Sequence, residues 1–318
     1  MKRRMLLAAL PPLATPAFGQ PRYPDRPIRL IIPWTAGSSS DVQLRSLVDQ
    51  ASRALGQPVI SENRSGAGGT LHAMHLAKEA RPDGYTIGQM HLSVVRRPFL
   101  VRAPQWDVTT DFTHIIGLCG WLYGVAVKAD SPFRTFPEMI AYARANPGRL
   151  SFATSGTATT NHLAMEDIAA REGIELTHVP FRGSSEGVTA VLSGSVTMIA
   201  DSSTWAGNVE AGQMRLLCVW TAERVPRFAN VPTLKELGYD MVVTSNYGIS
   251  GPANMDPGIV RVLHDTLRDG LMSPENTRVR GLFDMPLVYL DSENYADFII
   301  RRAGYERDMV NRLGIRMD

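Results

Sequence analysis

Two loops rich in glycine and hydroxyl residues are the parts of this sequence best suited to bind a ligand. The first, residues 33–41, reads PWTAGSSSD and joins an apolar segment to one with helical periodicity. The second, residues 155–162, reads SGTATTNH and has the same kind of neighbours. Small residues let backbone N–H groups converge, and a helix start adds about half a positive charge. Each loop therefore predicts either an anion site that needs no Lys or Arg, or an ordinary capped turn.

The segments around these loops predict an α/β fold. From residue 22 onward, short apolar segments alternate with amphipathic ones, a pattern typical of a mainly parallel sheet with covering helices. Apolar strands at residues 28–34 and 150–154 end directly before the two loops. Because ligands bind at the carboxyl ends of such strands, the two loops could hold one carboxylate from both sides. Asp41 would repel an anion, so with Arg45 four residues later it is interpreted mainly as support for the first loop.

The composition limits the classes of protein to which this chain can belong. Its 318 residues suffice for about two domains, at roughly 100–200 residues each. Hydrophobic residues make up 44% and charged residues 20%, which excludes a disordered, collagen-like or coiled-coil chain. The net charge of +2 is too small for the basic surface that nucleic-acid binding requires. We therefore expect a two-domain globular protein with no nucleic-acid partner.

The N-terminus predicts export. Lys2, Arg3 and Arg4 precede a short apolar run that ends in small residues near Gly19. This pattern predicts a signal peptide over residues 1–19, of the Sec or the twin-arginine type, and hence a periplasmic protein. A short membrane anchor is the alternative, which the two prolines within the run disfavour.

The two cysteines, Cys119 and Cys218, each lie in an apolar segment and are far apart in the sequence. An exported chain would permit a disulfide between them. Because free cysteine behaves as a small hydrophobic residue in such surroundings, we expect two buried thiols instead.

Three other motifs resemble known sites without completing them. Residues 183–187 read GSSEG, the pattern of a nucleophile elbow, so a secreted serine hydrolase would use Ser185 with His264. His72 and His75 lack the spacing and the intervening Glu of a helical zinc pair. The glycines of residues 66–69 lack the Lys of a phosphate loop and predict a tight turn. We therefore predict no metal, no cofactor and no enzymatic activity, and keep the hydrolase as an alternative.

Several segments together resemble the substrate-binding proteins of tripartite tricarboxylate transporters, the Bug or TctC family. The resemblance extends from Tyr23 to the C-terminus, and the order and spacing of the segments make it specific. The segments are YPDRPIRLIIPWTAGSSSD (23–41), LGQPVISENRSGAGGT (55–70), RPDGYTIG (81–88), WDVTTDFTHI (106–115), HVPFRGSSEGVTAVLSGSV (178–196), AGQMRLLCV (211–219) and VPTLKELGYD (231–240).

This resemblance implies a Venus-flytrap fold of type II, with two α/β domains joined by two crossover strands. It places the first domain at residues 22–124 plus 246–318 and the second at residues 125–245. It also implies that a small carboxylated solute binds in the cleft and is delivered to membrane permease subunits. The same fold would serve an extracytoplasmic sensor that presents its ligand to a signalling kinase, and the sequence leaves both roles open.

Carried over from the family, the ligand-binding residues lie on both loops and on two later segments. They are Trp34, Thr35, Ala36, Gly37, Ser38, Ser39, Asp41, Ser155, Gly156, Thr157, His162, Phe181, Arg182 and Asp201.

Three of these residues depart from the usual family pattern, and a fourth, Asp201, bears on the charge of the ligand. Thr35 and Ser38 stand where the family usually has Pro and Gly, and Phe181 replaces a Tyr. Asp201 would repel a second ligand carboxylate or pair with a ligand amine. We therefore expect a monocarboxylate, an amino acid or an aromatic acid as the ligand.

Overall fold

The computed structural model describes residues 23–314, 316 and 317, so the predicted signal peptide lies outside the described residues. This part of the chain forms eleven strands and ten α-helices. In chain order they are β1 (Ile28–Ile32), α1 (Ser39–Leu55), β2 (Val59–Asn63), α2 (Leu71–Lys78), β3 (Thr86–His91), α3 (Leu92–Leu100), β4 (Phe112–Gly120), β5 (Tyr123–Lys128), α4 (Phe136–Ala145), β6 (Ser151–Thr154), α5 (Thr160–Glu172), β7 (Thr177–Pro180), α6 (Ser184–Leu192), β8 (Met198–Ser202), α7 (Ala206–Glu210), β9 (Met214–Val219), β10 (Asn246–Pro252), α8 (Pro257–Leu271), α9 (Pro274–Leu282), β11 (Leu287–Leu290) and α10 (Ser292–Leu313).

The strands form two separate sheets, which define two lobes. The first lobe contains the six-stranded sheet β11-β4-β10-β3-β1-β2, and the second contains the five-stranded sheet β7-β6-β8-β5-β9. The α/β sheets are mixed, with parallel and antiparallel pairs in each. β1 is parallel to β2 and β3, and β6 is parallel to β7 and β8, but β10 and β5 run antiparallel to both of their neighbours. β5 is the first strand after the first passage between the sheets, and β10 is the first after the second. Each runs opposite to the two strands between which it lies.

The chain passes between the sheets twice, and the two passages are hydrogen-bonded to the lobes and to each other. The first runs from β4 to β5 and the second from β9 to β10. The Trp121 amide donates to the Ser245 carbonyl at 3.2 Å, and the Trp220 amide donates to the Tyr123 carbonyl at 3.1 Å. Trp121 also packs on the ring of Tyr247 with 4.5 Å between centroids. The connection between the lobes is therefore a packed, aromatic segment.

Both cysteines lie in the core. Cys119 on β4 and Cys218 on β9 are fully buried and carry free thiols, which confirms the sequence prediction. Burial raises the pKa of each thiol to about 12, so both stay protonated at neutral pH. Within the described residues, no helix has the length and apolar character that crossing a bilayer requires.

Local sequence signals set several of the helix ends. Gly56 ends α1 in the left-handed conformation with φ of 66°, as its position predicted. The Thr135 hydroxyl accepts a hydrogen bond from the Glu138 amide, and the Glu138 side chain accepts one from the Thr135 amide. Asp256 caps α8 ahead of Pro257. The predicted capping box and proline start are confirmed.

The capping box gives a stability prediction for the second lobe. Replacing Thr135 with Ala removes the acceptor for the Glu138 amide and should lower the free energy of unfolding by about 1 kcal/mol. Denaturant unfolding measures the loss. Glu138→Gln keeps a side-chain acceptor at the third position and should cost less, so equal losses in the two variants would contradict the assignment.

Candidate functional site

A small, partly open cavity lies between the lobes, where the two predicted loops meet. Its volume of about 20 Å³ is close to the space of one water molecule, so the lobes nearly touch around it. The lining residues are Trp34, Ser38, Ser40, His91 and Ser93 from the first lobe, Trp121, Tyr123 and Ser245 from the passages between lobes and the start of β5, and Ser155, Thr159, Thr160, Asn161, Ser184, Asp201 and Ser202 from the second lobe.

The N-termini of four helices converge on this cavity. Ser38 and Ser40 belong to the start of α1 and Ser93 to that of α3, while Thr160 and Ser184 begin α5 and α6. Each helix start presents free backbone N–H groups and the positive end of a helix dipole. Among the described residues that line the cavity, none is Lys or Arg. The cavity therefore favours an anion through dipoles and hydroxyl groups.

Direct hydrogen bonds join the loops across the cleft. The Ser185 hydroxyl lies 2.7 Å from the Thr35 hydroxyl and donates to the Ala36 carbonyl at 3.1 Å. The Ser39 amide donates to the Thr204 hydroxyl at 3.0 Å, and the Ser39 hydroxyl donates to that of Ser202 at 3.3 Å. The first loop thus binds the start of α6 and the segment after β8, in addition to facing the second loop.

Two glycine contacts allow the lobes to approach this closely. A Cβ at Gly156 would lie 2.9 Å from the Cα of Gly68, and a Cβ at Gly183 would overlap the Thr35 hydroxyl. Gly68 belongs to the glycine-rich segment 66–69, which the sequence predicted only as a turn. It forms that turn and also presses against the second loop, a contact that no local pattern signals.

Asp201 gives the cavity its negative group. It is buried, accepts a hydrogen bond from the Ser155 hydroxyl at 2.5 Å and one from the Ser202 amide at 2.6 Å. Burial raises the pKa of Asp201 to about 6, because the charged form loses hydration that these bonds replace only in part. Burial lowers the pKa of His91 to about 3, so its imidazole is neutral at physiological pH. Asp201 is therefore the lining group whose charge changes near neutral pH.

Trp34 offers an unused donor beside the helix starts. Its side chain is 6% exposed, packs against the His91 ring at 4.8 Å between centroids, and lines the cavity. Its indole Nε1 has no hydrogen-bond partner among the described residues. Because a buried donor without a partner is unfavourable, this N–H is available to a ligand or a water.

Asp41 supports the first loop from behind, as the sequence suggested. It is 2% exposed and accepts hydrogen bonds from the Gly37 amide at 2.9 Å, from Asn63 at 2.7 Å and from Arg45 at 3.1 Å. These bonds fix the turn at Gly37, whose φ of +81° favours glycine. Gly37 and its neighbour Ala36 are themselves exposed at the rim and do not line the cavity.

Thr35, Ser39, Asp41 and Gly156 also lie outside the cavity lining, and so do four further residues carried over from the family. Thr157 is exposed on the second loop. His162 accepts a hydrogen bond from the Ala158 amide at 3.1 Å and so shapes the loop from behind. Phe181 packs against the core of the second lobe, and Arg182 is exposed and paired with Glu186 at 2.7 Å.

The residues of the alternative sites are not assembled into those sites. Ser185 bonds to the first loop, whereas His264 bonds to Asp265 at 2.9 Å and Tyr289 at 3.0 Å. A serine nucleophile needs a histidine within hydrogen-bond reach, and these contacts do not supply one. His72 lies against the Gln89 carbonyl at 2.6 Å, and His75 pairs with Glu79.

Sequence reasoning missed much of the cavity wall. His91 ends β3 and Ser93 lies in the first turn of α3, so a strand directly before a hydroxyl-bearing helix start is the signal that could have found them. Trp121, Tyr123 and Ser245 reach the cavity only because the two passages between lobes meet there. That meeting is a property of the tertiary structure.

Comparison with known proteins identifies the family. The model of the tripartite tricarboxylate transporter family receptors, TctC, matches residues 43–315. The chain belongs to this family. Among the relatives of this TctC-family chain, the UPF0065 protein in the gbd 5′ region of Cupriavidus necator is 44% identical over 309 residues, covering 97% of this chain and 94% of the relative. Protein BugT of Bordetella pertussis is 30% identical over 255 residues, covering 79% and 78% of the two chains.

Solved structures confirm the two-domain fold of periplasmic solute-binding proteins. The periplasmic binding protein BugD is 25% identical with a TM-score of 0.88, covering 93% of this chain and 100% of that one. An R. palustris protein solved with adipate is 27% identical with a TM-score of 0.84, covering 92% and 99%. The predicted family and fold are thereby confirmed for this TctC-family chain.

The contact at Gly183 predicts a variant that hinders closure without unfolding the lobe. Its φ of 179° is accessible to any residue, so Gly183→Ala strains only the approach of the first loop, at Thr35 and Ser38. Overpacking by a methyl group costs about 1–3 kcal/mol, which should lower the ratio of closed to open molecules about fivefold or more. The Ser39 amide, which donates across the cleft, should then exchange with solvent correspondingly faster.

Gly207→Ala is the matched control, because a Cβ there meets no atom within 4 Å. This variant should leave exchange at Ser39 unchanged. Equal exchange rates in both variants would contradict the role assigned to the Gly183 contact.

Proposed function

We propose that this chain is an extracytoplasmic solute-binding protein that captures a small carboxylated solute between its lobes and delivers it to a tripartite tricarboxylate-type membrane permease. The observation that supports this most is the convergence of helix N-termini from both lobes on one cavity without a lining Lys or Arg. The adipate bound to the R. palustris relative supports the carboxylate class. No catalytic step is required.

The proposed binding sequence begins with open lobes. A cavity of about 20 Å³ cannot admit a solute, so the solute enters an open form and the lobes close around it. Backbone N–H groups and hydroxyls then donate to the carboxylate, at about 1.5–3 kcal/mol for each bond to a charged group. A few such bonds supply the roughly −8 kcal/mol of micromolar binding, before ordering costs. The bonds of Thr35 and Ser39 across the cleft give the closed form a shape that a permease can distinguish.

A ligand screen tests the capture step. A small carboxylic acid at about 100 times its dissociation constant should raise the free energy of unfolding by about 2.7 kcal/mol, which a thermal-shift assay detects. Calorimetry on the best acid should give one site per chain. Absence of any stabilising carboxylate, with stabilisation by another class of solute, would contradict the proposal.

An uptake assay tests delivery. Cells that lack this protein should lose uptake of the identified acid at low concentration and regain it with the wild-type gene but not with Gly183→Ala. Unchanged uptake with loss of an acid-dependent transcriptional response would instead indicate a sensor. Labelling of Ser185 by a fluorophosphonate probe would indicate a hydrolase.

We further propose that the ligand carries a single carboxylate near Asp201. Above pH 6 the ionised Asp201 repels an anion in the same cavity, and below pH 6 its protonated form can donate to that anion. Tyr123 and His91 also face the cavity but stay neutral between pH 5.5 and 7.5. The remaining part of the solute is therefore uncharged or carries an amine.

The pH dependence of binding tests the position of the carboxylate. For an acid without an amine, affinity should fall as pH rises from 5.5 to 7.5, because Asp201 loses its proton in this range. Asp201→Asn should abolish this dependence, and calorimetry on both proteins measures it. An affinity that rises with pH for an amino acid would place the amine at Asp201, and identical slopes in both proteins would contradict a direct role.

A further inference from the structure

A buried arginine of the first lobe reaches across the cleft to the second loop. Arg96 lies on α3 and is 1% exposed. Its Nη1 donates to the Ala158 carbonyl at 2.9 Å and its Nη2 to the Thr160 hydroxyl at 3.3 Å. Both acceptors belong to the second lobe, and Thr160 also lines the cavity. The side chain therefore joins one lobe to the loop that the other lobe contributes to the site.

A carboxylate on the C-terminal helix holds this arginine in place. Glu306 of α10 is fully buried and accepts a hydrogen bond from Arg96 Nε at 2.6 Å. Its second oxygen accepts one from Arg302 Nε at 2.8 Å. Because the guanidinium is a rigid planar fork of donors, fixing one edge against Glu306 aims the other edge at the loop.

The loop needs support at the point where Arg96 binds it. Ala158 has a φ of 59°, a conformation that residues other than glycine rarely adopt. Its amide donates to His162 within the second lobe, and its carbonyl accepts from Arg96 of the first lobe. The set of bonds that holds Ala158 is therefore complete only when the lobes are together.

We propose that Arg96 is a positioning residue that latches the closed lobes and fixes the second loop in its binding conformation. Opening the cleft would separate the guanidinium from the Ala158 carbonyl and the Thr160 hydroxyl while Glu306 keeps it in the first lobe. The latch rests on the proposed function only in taking the cavity as the ligand site. Closure itself can be measured without ligand, so the two proposals fail independently.

A disulfide trap measures the closed population. The hydroxyls of Thr35 and Ser185 lie 2.7 Å apart across the cleft, so Thr35→Cys with Ser185→Cys should crosslink when the lobes close. Cys119 and Cys218 are fully buried and should not compete. The rate of crosslinking with oxidised glutathione is compared in this background with and without changes at Arg96.

Arg96→Lys keeps the buried charge but loses the fork, and should slow crosslinking about tenfold, the equivalent of one charge-assisted hydrogen bond. Thr160→Val removes one acceptor and should slow it about threefold. The matched control is Arg97→Lys, the next residue on α3, which contacts Met317 and not the second loop; its rate should stay within about twofold of the parent.

Thermal unfolding separates the latch from a merely structural role. If the Arg96→Lys variant has a lower unfolding temperature but crosslinks as fast as the Arg97→Lys variant, the proposal is overturned. If Arg96→Lys does not fold, the Thr160→Val arm decides: slower crosslinking supports the latch, and a rate equal to that of Arg97→Lys overturns it.

Discussion

The site depends on the convergence of helix N-termini from two lobes on one point. A single helix start is a weak anion site, since its dipole equals about half a charge and is screened by water within a turn. Several starts around a closed cavity act together, because the lobes exclude the water that would screen them. The strands that directly precede these helices, β1 and β3 in the first lobe and β6 and β7 in the second, fix where they begin.

Closure is possible because the facing surfaces are made of glycine and small hydroxyl residues. Gly68 opposes Gly156, and Gly183 opposes Thr35, so backbone meets backbone or a single hydroxyl. Serine and threonine residues of the two lobes then form hydrogen bonds with one another across the cleft, as the Ser39 amide does with the Thr204 hydroxyl. Such bonds exchange readily with water, so closing the lobes requires no large desolvation penalty. This composition suits a protein that must both close on a solute and release it.

Local signals predicted the parts of the site that local structure determines. The strand–loop–helix units at residues 28–55 and 150–172 followed from apolar runs, glycine stops and small residues, and both form as expected. The buried thiols at Cys119 and Cys218 followed from their apolar neighbours in the same way. The antiparallel insertion of β5 and β10 could not be predicted, because strand direction in a sheet depends on where the chain crosses between lobes.

Contacts between distant segments also escaped sequence reasoning. Segment 66–69 reads as a turn, and only the closed lobes show that Gly68 lies against the second loop. Arg96 resembles any other arginine of an arginine-rich chain. Its burial follows from Glu306, which is 210 residues away in the sequence.

The two buried charge systems beside the cavity oppose one another. Asp201 places a negative group in the lining, whereas the Arg96, Glu306 and Arg302 cluster carries one net positive charge behind the second loop. Burial lowers the pKa of His91, and the positive charge of Arg96 adds to this shift; burial raises the pKa of Tyr123, and the charge of Arg96 opposes that rise, so its field reaches the cavity. An anion held between the helix starts would lie within the same field. Arg96 would therefore offset part of the repulsion that Asp201 exerts on an anion, and its own hydrogen bonds to Glu306, Ala158 and Thr160 leave the proposed recognition of a carboxylate to backbone and hydroxyl donors.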